Sequence, residues 1–360
     1  MSKLAKNSKE ITAFSVPTKL IHAMLVDIES AKKSIYLETY IYDKDTLGII
    51  VRDALIKKAK EGVKVNLLLD SWGSSVNENF FSELKAVGGE VRFFRKIIAN
   101  LKIIYHGHKR NHRKLLIVDD KIVYIGSANI SNESIDWREF ALRLKNPLAK
   151  EFSKIFLDDY KIFNNFFHKI KMRINSIKIK EFEIVRDVPN LLFQNIRKKM
   201  LELIKKSKKS IIIETPYFNP DKGLRKALKQ AVKRGVDVKI ILPEKSDVRI
   251  SDIIRQEFLG RLFSAGVKIY YFKPKILHAK AALFDDKIFS VGSANFSTRS
   301  FLYLYEINLF GKEKITRDLV KTHLQESLDQ SIKFNYAEWK KRPWIHKLIE
   351  KAILPIRRLF

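Results

Sequence analysis

The chain has 360 residues, 70 Lys and Arg against 40 Asp and Glu, a formal charge of +30, and no cysteine. A length like this buries one sizeable core or two smaller ones, and 46% hydrophobic residues exclude wholesale disorder. The missing cysteine excludes disulfides, a redox dithiol and a Cys-ligated zinc site. The charge points to anionic partners, whether nucleic acid, an acidic membrane surface or a phosphate-bearing substrate, although general Lys and Ile usage also accounts for it.

In chain order, the N-terminal residues include no apolar stretch of signal-peptide length. No run of about 18 uncharged apolar residues follows anywhere. The expectation is therefore a cytoplasmic protein, peripheral on the inner face of the cell membrane if it meets a membrane at all. Ser34–Tyr42 reads as an apolar strand and Leu47–Lys60 as a helix stopping at a glycine. Val63–Leu69 is a second buried strand, followed by a further helix and strand. Leu115–Val118 and Ile122–Ile125 form a hairpin turning at Asp119-Asp120-Lys121, and then come a strand, Glu139–Leu144, and an amphipathic helix, Lys150–Phe167. A charged stretch, Ile170–Asp187, separates the halves. Beyond it the order returns: strand Ser210–Tyr217, helix Leu224–Lys233, strand Val236–Leu242, hairpin Ala281–Phe284 and Ile288–Val291 around Asp285-Asp286-Lys287, strand Glu306–Phe310 and helix Ile315–Leu328.

The residues repeat as well as the elements. Lys32-Lys33-Ser34-Ile35 recurs as Lys208-Lys209-Ser210-Ile211, 176 positions on. His112-Arg113-Lys114 and Gly126-Ser127-Ala128-Asn129 recur as His278-Ala279-Lys280 and Gly292-Ser293-Ala294-Asn295, 166 positions on. A period this long means two homologous domains rather than a solenoid. The predicted class is α/β: two mixed sheets flanked by helices and related by pseudo-twofold symmetry, at 1–180 and 181–335, followed by a basic tail at 336–360.

The chemistry sits where the repeat is tightest. Each half carries H-x-K-x4-D: His112, Lys114 and Asp119, then His278, Lys280 and Asp285. On an extended chain, positions i and i+2 face one side, so His and Lys of each copy address one site. Asp119 and Asp285 have the opposite parity and lie at the turns, where they support the hairpins. Lys ammoniums and the amides of Asn129 and Asn295 donate several hydrogen bonds to one anion, and phosphate suits them. One histidine can attack phosphorus, and the other can protonate the leaving oxygen and later take a proton from the incoming hydroxyl.

With these residues in place, the chain resembles the phospholipase D superfamily, whose double HKD motif it carries, over about residues 16–335. Within that superfamily it is similar to bacterial cardiolipin synthases of the short type lacking N-terminal membrane helices. The similarity runs through Glu38-Thr39-Tyr40-Ile41-Tyr42, Leu69-Asp70-Ser71-Trp72-Gly73-Ser74 and Trp137-Arg138-Glu139. It continues in Thr215-Pro216-Tyr217-Phe218-Asn219-Pro220-Asp221 and Asn295-Phe296-Ser297-Thr298-Arg299-Ser300, with Glu306. Gly126-Ser127 departs from the Gly-Gly frequent in those synthases. The resemblance implies a metal-independent phosphohistidine mechanism without a cofactor, at a site between the halves. His112 is the implied nucleophile and His278 the general acid and base. Lys114, Lys280, Asn129 and Asn295 would hold phosphate, with Ser127 and Ser293 nearby. Glu139 and Glu306 would orient the histidine rings, or else serve in ordinary salt bridges. The implied activity is phosphatidyl transfer from phosphatidylglycerol to a second phospholipid hydroxyl. A phospholipase D-type hydrolase or a nuclease is the alternative, nucleic acid being the less favoured partner.

Three further features complete the reading. His106, His108 and His112 suggest a metal site by spacing, but Lys109, Arg110 and Arg113 would repel a cation, so the stretch reads as a mobile basic loop at the site mouth. His22, His168, His323 and His346 belong to no constellation. In Trp339–Phe360, seven Lys and Arg face one acid, and Trp344, Ile345, Leu348 and Ile349 recur at helical spacing. Such a helix fits an anionic bilayer surface or packs on its own domain. The sequence is silent on oligomeric state.

Overall fold

The computed structural model of the chain describes residues 10–94, 109–162, 175–189 and 194–353. The first half runs β1 (Ile11–Phe14), α1 (Pro17–Ser30), β2 (Ser34–Thr39), α2 (Thr46–Lys60), β3 (Lys64–Asp70), α3 (Ser82–Ala86), β4 (Glu90–Phe94), β5 (Arg110–Asn111), β6 (Leu115–Val118), β7 (Ile122–Gly126), β8 (Ala141–Lys145) and α4 (Leu148–Ile162). The second runs β9 (Ile177–Ile179), β10 (Phe182–Asp187), α5 (Asn195–Lys206), β11 (Ser210–Glu214), α6 (Lys222–Lys233), β12 (Asp237–Pro243), α7 (Arg249–Phe263), β13 (Lys268–Phe272), β14 (Ala281–Phe284) and β15 (Ile288–Gly292). It ends with α8 (Thr298–Tyr303), β16 (Leu304–Gly311), α9 (Lys314–Asp329), β17 (Ser331–Lys333), α10 (Tyr336–Lys341) and α11 (Trp344–Ile353).

The expected α/β class and the duplication are both present. The first sheet has the order β1-β8-β7-β6-β2-β3-β4, and the second β17-β13-β12-β11-β14-β15-β16-β10-β9. In each, parallel β2-β3-β4 or β11-β12-β13 joins the antiparallel hairpin β6-β7 or β14-β15. The helices between parallel strands are capped as their sequences suggest: Asp45 accepts from the Gly48 amide, and Asp221 from those of Gly223 and Leu224. Alternation along the hairpin strands divides their side chains between two cores. Leu116 and Val118 face the outer core of the first half, and Ala282 and Phe284 that of the second. Leu115, Ile117, Ala281 and Leu283 instead share a central core that draws on both sheets. The halves therefore pack hairpin face to hairpin face, with the two motifs at that junction.

Several boundaries moved. The charged stretch expected between the domains holds the hairpin β9-β10, and β10 pairs along β16 in the second sheet. The division placed after residue 180 thus falls at this hairpin's turn, where Lys180 has φ 51°. The strand expected from Glu139 begins only at Ala141, because Arg138 pairs with Leu277 of the other half. The tail is not free of the domain: Trp339 packs over Gly260 and bonds the Gln256 carbonyl at 3.0 Å, and Arg342 pairs with the buried Glu350 at 2.7 Å. Trp344, Ile345 and Leu348 point out, with exposures of 71%, 51% and 52%. Residues 354–360 lie outside the described residues, as does the end predicted for helix Lys150–Phe167 beyond 162.

Candidate active site

Each motif histidine follows a short extended segment that hydrogen-bonds to the opposite half. The His112 amide donates to the Tyr305 carbonyl at 3.0 Å, where β5 runs beside β16. The amides of His278 and Ala279 donate to the Arg138 carbonyl at 2.8 and 3.0 Å. The side chains cross over in the same way. Glu306 meets Nδ1 of His112 at 3.1 and 3.3 Å, and Glu139 meets Nδ1 of His278 at 2.7 Å. The carboxylate thus fixes the tautomer, and the neutral ring presents its lone pair on Nε2. All four side chains are buried. Neither half owns a complete His–Glu pair.

The remaining motif residues are arranged around these pairs. Lys114 and Lys280 donate to the carbonyls of His112 and His278 at 2.7 and 2.6 Å, which engages one of the three donors on each ammonium. Burial, and for Lys114 also the nearby Lys280, pushes these amines down, Lys114 to about 7 and Lys280 to about 8. Burial and the Lys114 charge hold His112 at about 4 against the pull of Glu306. Burial also lowers His278, while Glu139 opposes it and Lys280 adds to the fall. Asn129 accepts the Ile41 amide at 3.3 Å, and the buried Oδ1 of Asn295 has no hydrogen-bond partner.

Ser127 and Ser293, expected near the phosphate, bond the two glutamates. Their hydroxyls donate to Glu139 and Glu306 and accept the amides of Phe140 and Ile307 at 2.9 and 3.0 Å. The preceding glycines are required by close approach: a Cβ on Gly126 would lie 2.4 Å from the Phe140 carbonyl, and one on Gly292 2.2 Å from that of Ile307. Asp119 and Asp285 sit at the hairpin turns with φ 55° and 54°. Each accepts three consecutive main-chain N–H groups, from Lys32, Lys33 and Ser34 or from Lys208, Lys209 and Ser210. Burial opposes ionisation there, but these donors hold both carboxyls below the usual range.

Of the basic residues expected in a mobile loop, Arg110 and Arg113 are among the described residues and are held in the structure. Arg110 is buried on Asp70, and Arg113 is buried against Asp159 and the carbonyls of Glu306 and Asp187. His106 and His108 lie outside the described residues. Among the described residues, no three His, Asp or Glu side chains gather as a metal site would require. His323 does belong to a constellation. It is buried, with Nε2 2.6 Å from Glu214 and Nδ1 2.7 Å from the Ser15 hydroxyl, and its carbonyl accepts from Arg138, the residue whose own carbonyl holds His278. His22 is exposed, His168 lies outside the described residues, and His346 sits on α11.

Aromatic residues complete the site. The Tyr40 ring lies 5.1 Å from His112, and Trp137 and Tyr217 lie 5.3 and 6.2 Å from His278, with the Tyr217 hydroxyl on Asp247 at 2.6 Å. Reasoning from residue types alone passed these over, since aromatic residues next to strands usually belong to cores.

Two duplicated half-sites, each completed by the other's glutamate, define a two-domain protein of the phospholipase D type. The family model described as cardiolipin synthase, phospholipase D-like domain, matches residues 24–160 and 200–330. The chain belongs to that family and is a phospholipase D-type phosphatidyltransferase. It is 34% identical to a cardiolipin synthase of Clostridium perfringens over 96% of this chain and 75% of that protein. It is 36% identical to the major cardiolipin synthase ClsA of Bacillus subtilis over 92% of this chain and 72% of that one. Among solved structures, phosphatidylserine synthase of Haemophilus influenzae superposes with a TM-score of 0.81 at 15% identity, covering 98% of this chain and 96% of that one, which supports the fold.

Proposed function

We propose that the protein forms cardiolipin by transferring the phosphatidyl group of one phosphatidylglycerol to the glycerol hydroxyl of another. The observation that carries this reading is the pair of crossed His–Glu contacts beside two buried lysines. His112 attacks phosphorus through Nε2, forming an N–P bond. The P–O bond to the headgroup breaks, and His278 gives its proton to that oxygen, releasing glycerol. The hydroxyl of a second phosphatidylglycerol then loses its proton to His278 as its oxygen attacks phosphorus. The N–P bond breaks, and His112 is restored with its lone pair. Lys114, Lys280, Asn129 and Asn295 hold the non-bridging oxygens throughout. An anionic phosphodiester among these groups favours the charged forms of both lysines and of His278.

A peripheral position on an anionic bilayer accords with the tail. Among the described residues no helix is long and apolar enough to cross a membrane. Trp344, Ile345 and Leu348 project from α11, near Lys340, Lys341 and Lys347 on the same terminal segment. Trp and an apolar ridge flanked by cations suit the headgroup region.

The test is product analysis after incubating the purified protein with labelled phosphatidylglycerol liposomes and, separately, with single-stranded DNA. Cardiolipin with equimolar glycerol is the expected outcome. Phosphatidic acid alone would make the protein a hydrolase, and cut DNA would make it a nuclease.

A further inference from the structure

The two His–Glu pairs are not equivalent, and the difference traces to one residue. Glu139 gives one oxygen to His278, at 2.7 Å, and the other to the Ser127 hydroxyl. Glu306 receives a hydroxyl on both oxygens, from Ser293 on Oε2 and from Ser300 on Oε1. Its contacts with His112 are correspondingly longer, at 3.1 and 3.3 Å. In the first repeat the position of Ser300 is taken by Ser134, whose hydroxyl donates to the Ser131 carbonyl at 3.1 Å instead. Among the described residues, Glu139 has no second hydroxyl donor.

The sequence contains the reason. Ser134 and Ser300 are 166 positions apart, but Glu139 and Glu306 are 167 apart, so the second copy has one extra residue between serine and glutamate. Where the first half makes a single 3-10 turn at Asn132–Ser134, the second makes α8. Ser300, anchored by the Asn295 amide at 3.0 Å, then reaches Glu306.

Resting on the reaction proposed above, we infer that Ser300 is a positioning residue that breaks the symmetry of the site, drawing charge off Glu306 so that His112 stays neutral and His278 carries the proton. Hydroxyl donors stabilise a carboxylate's charge and weaken its hold on an imidazolium. The balance of the other groups facing the two rings acts in the same sense. His112 faces Lys114 and Lys280 besides Glu306 and the Tyr40 ring. His278 faces Lys280, but also Glu139 and Asp247, with Tyr217 and Trp137 beside it. Two cations against one carboxylate thus face His112, whereas two carboxylates against one cation face His278.

The test is the pH dependence of kcat/KM on a soluble diester, bis(p-nitrophenyl) phosphate, for the native chain, Ser300→Ala and Ser300→Thr. Without the hydroxyl, Glu306 binds the His112 imidazolium better, so the acid limb of the Ala variant moves up by about one pH unit. The basic limb stays in place, and the Thr variant restores the native profile. A rate lowered equally at every pH, with both limbs unmoved, would overturn the inference and leave Ser300 a structural residue. Should the Ala variant not fold, Ser300→Cys keeps the bulk with a weaker donor. An upward shift of the same limb supports the inference, and none refutes it. Failure to make cardiolipin would sink the proposed acceptor without touching these limbs, which are read on a diester needing no lipid acceptor.

Discussion

The crossing of the glutamates leads to a prediction that a self-contained half-site would not make. Glu139→Gln keeps the side chain's size but removes the charge that meets His278 at 2.7 Å. A hydrogen bond to a charged partner contributes about 1.5–3 kcal/mol, and about 1.36 kcal/mol corresponds to one pKa unit. The His278 pKa should therefore fall by about 1–2 units in the variant. A group whose protonated form is favoured by its partner loses that form at lower pH once the partner is neutral. The basic limb of the kcat/KM profile should accordingly move down by about 1–2 units, and the rate on a soluble diester at neutral pH should drop about 10- to 100-fold. Glu306→Gln should act on the acid limb instead, and by less than about one unit, because its contacts to His112 are longer and its charge is shared with two serines. The assay is the full profile for both variants, with circular dichroism to confirm folding. A Glu139→Gln variant that moves the acid limb while Glu306→Gln moves the basic one would refute the crossed pairing.

Other outcomes follow from the same geometry. Asp119→Ala and Asp285→Ala should each lower stability by about 1–3 kcal/mol, since each leaves three main-chain donors without their carboxylate. The two losses should add, because the turns lie in separate sheets, and urea denaturation measures both. Both carboxyls are held below their ordinary 3.8, so this stability is complete above that pH and is lost as pH falls through the lower folded value. Replacing Trp344, Ile345 and Leu348 together by Ser should weaken binding to anionic vesicles by roughly a hundredfold, taking about 1 kcal/mol for each exposed apolar side chain. Unchanged vesicle flotation would remove the bilayer contact. Trp339→Ala should act differently, lowering the stability of the second half, because its ring is packed over Gly260.

The architecture was legible because duplication exposes it. Two copies of one strand and hairpin pattern, with glycines and aspartates at matching turns, could hardly be read as anything but paired mixed sheets. The parity of His112 and Lys114 likewise placed both beside one site, and the opposite parity of Asp119 placed it at the turn. The exchange of partners could not be read the same way. In a symmetric repeat, Glu139 is as compatible with His112 as with His278, and only the packing of the two hairpin faces decides. Arg110 and Arg113 misled for a related reason: charged residues are almost never fully buried unless paired, and their partners Asp70 and Asp159 are about 40 or more positions away in a chain where cations abound. The same distance hid the contact of His323 with Glu214. In the tail, amphipathic spacing was visible, but one face could not be divided in advance between Trp339, which packs inward, and Trp344, which does not.

The most direct measurement of the central claim is the stereochemistry of transfer at phosphorus, using phosphatidylglycerol whose phosphate is made chiral with sulfur and oxygen isotopes. Attack by His112 followed by attack of the acceptor hydroxyl on the N–P bond is two in-line displacements, so the account predicts cardiolipin with net retention of configuration. Net inversion would mean that the acceptor attacks the lipid phosphate directly, and would contradict a covalent role for His112.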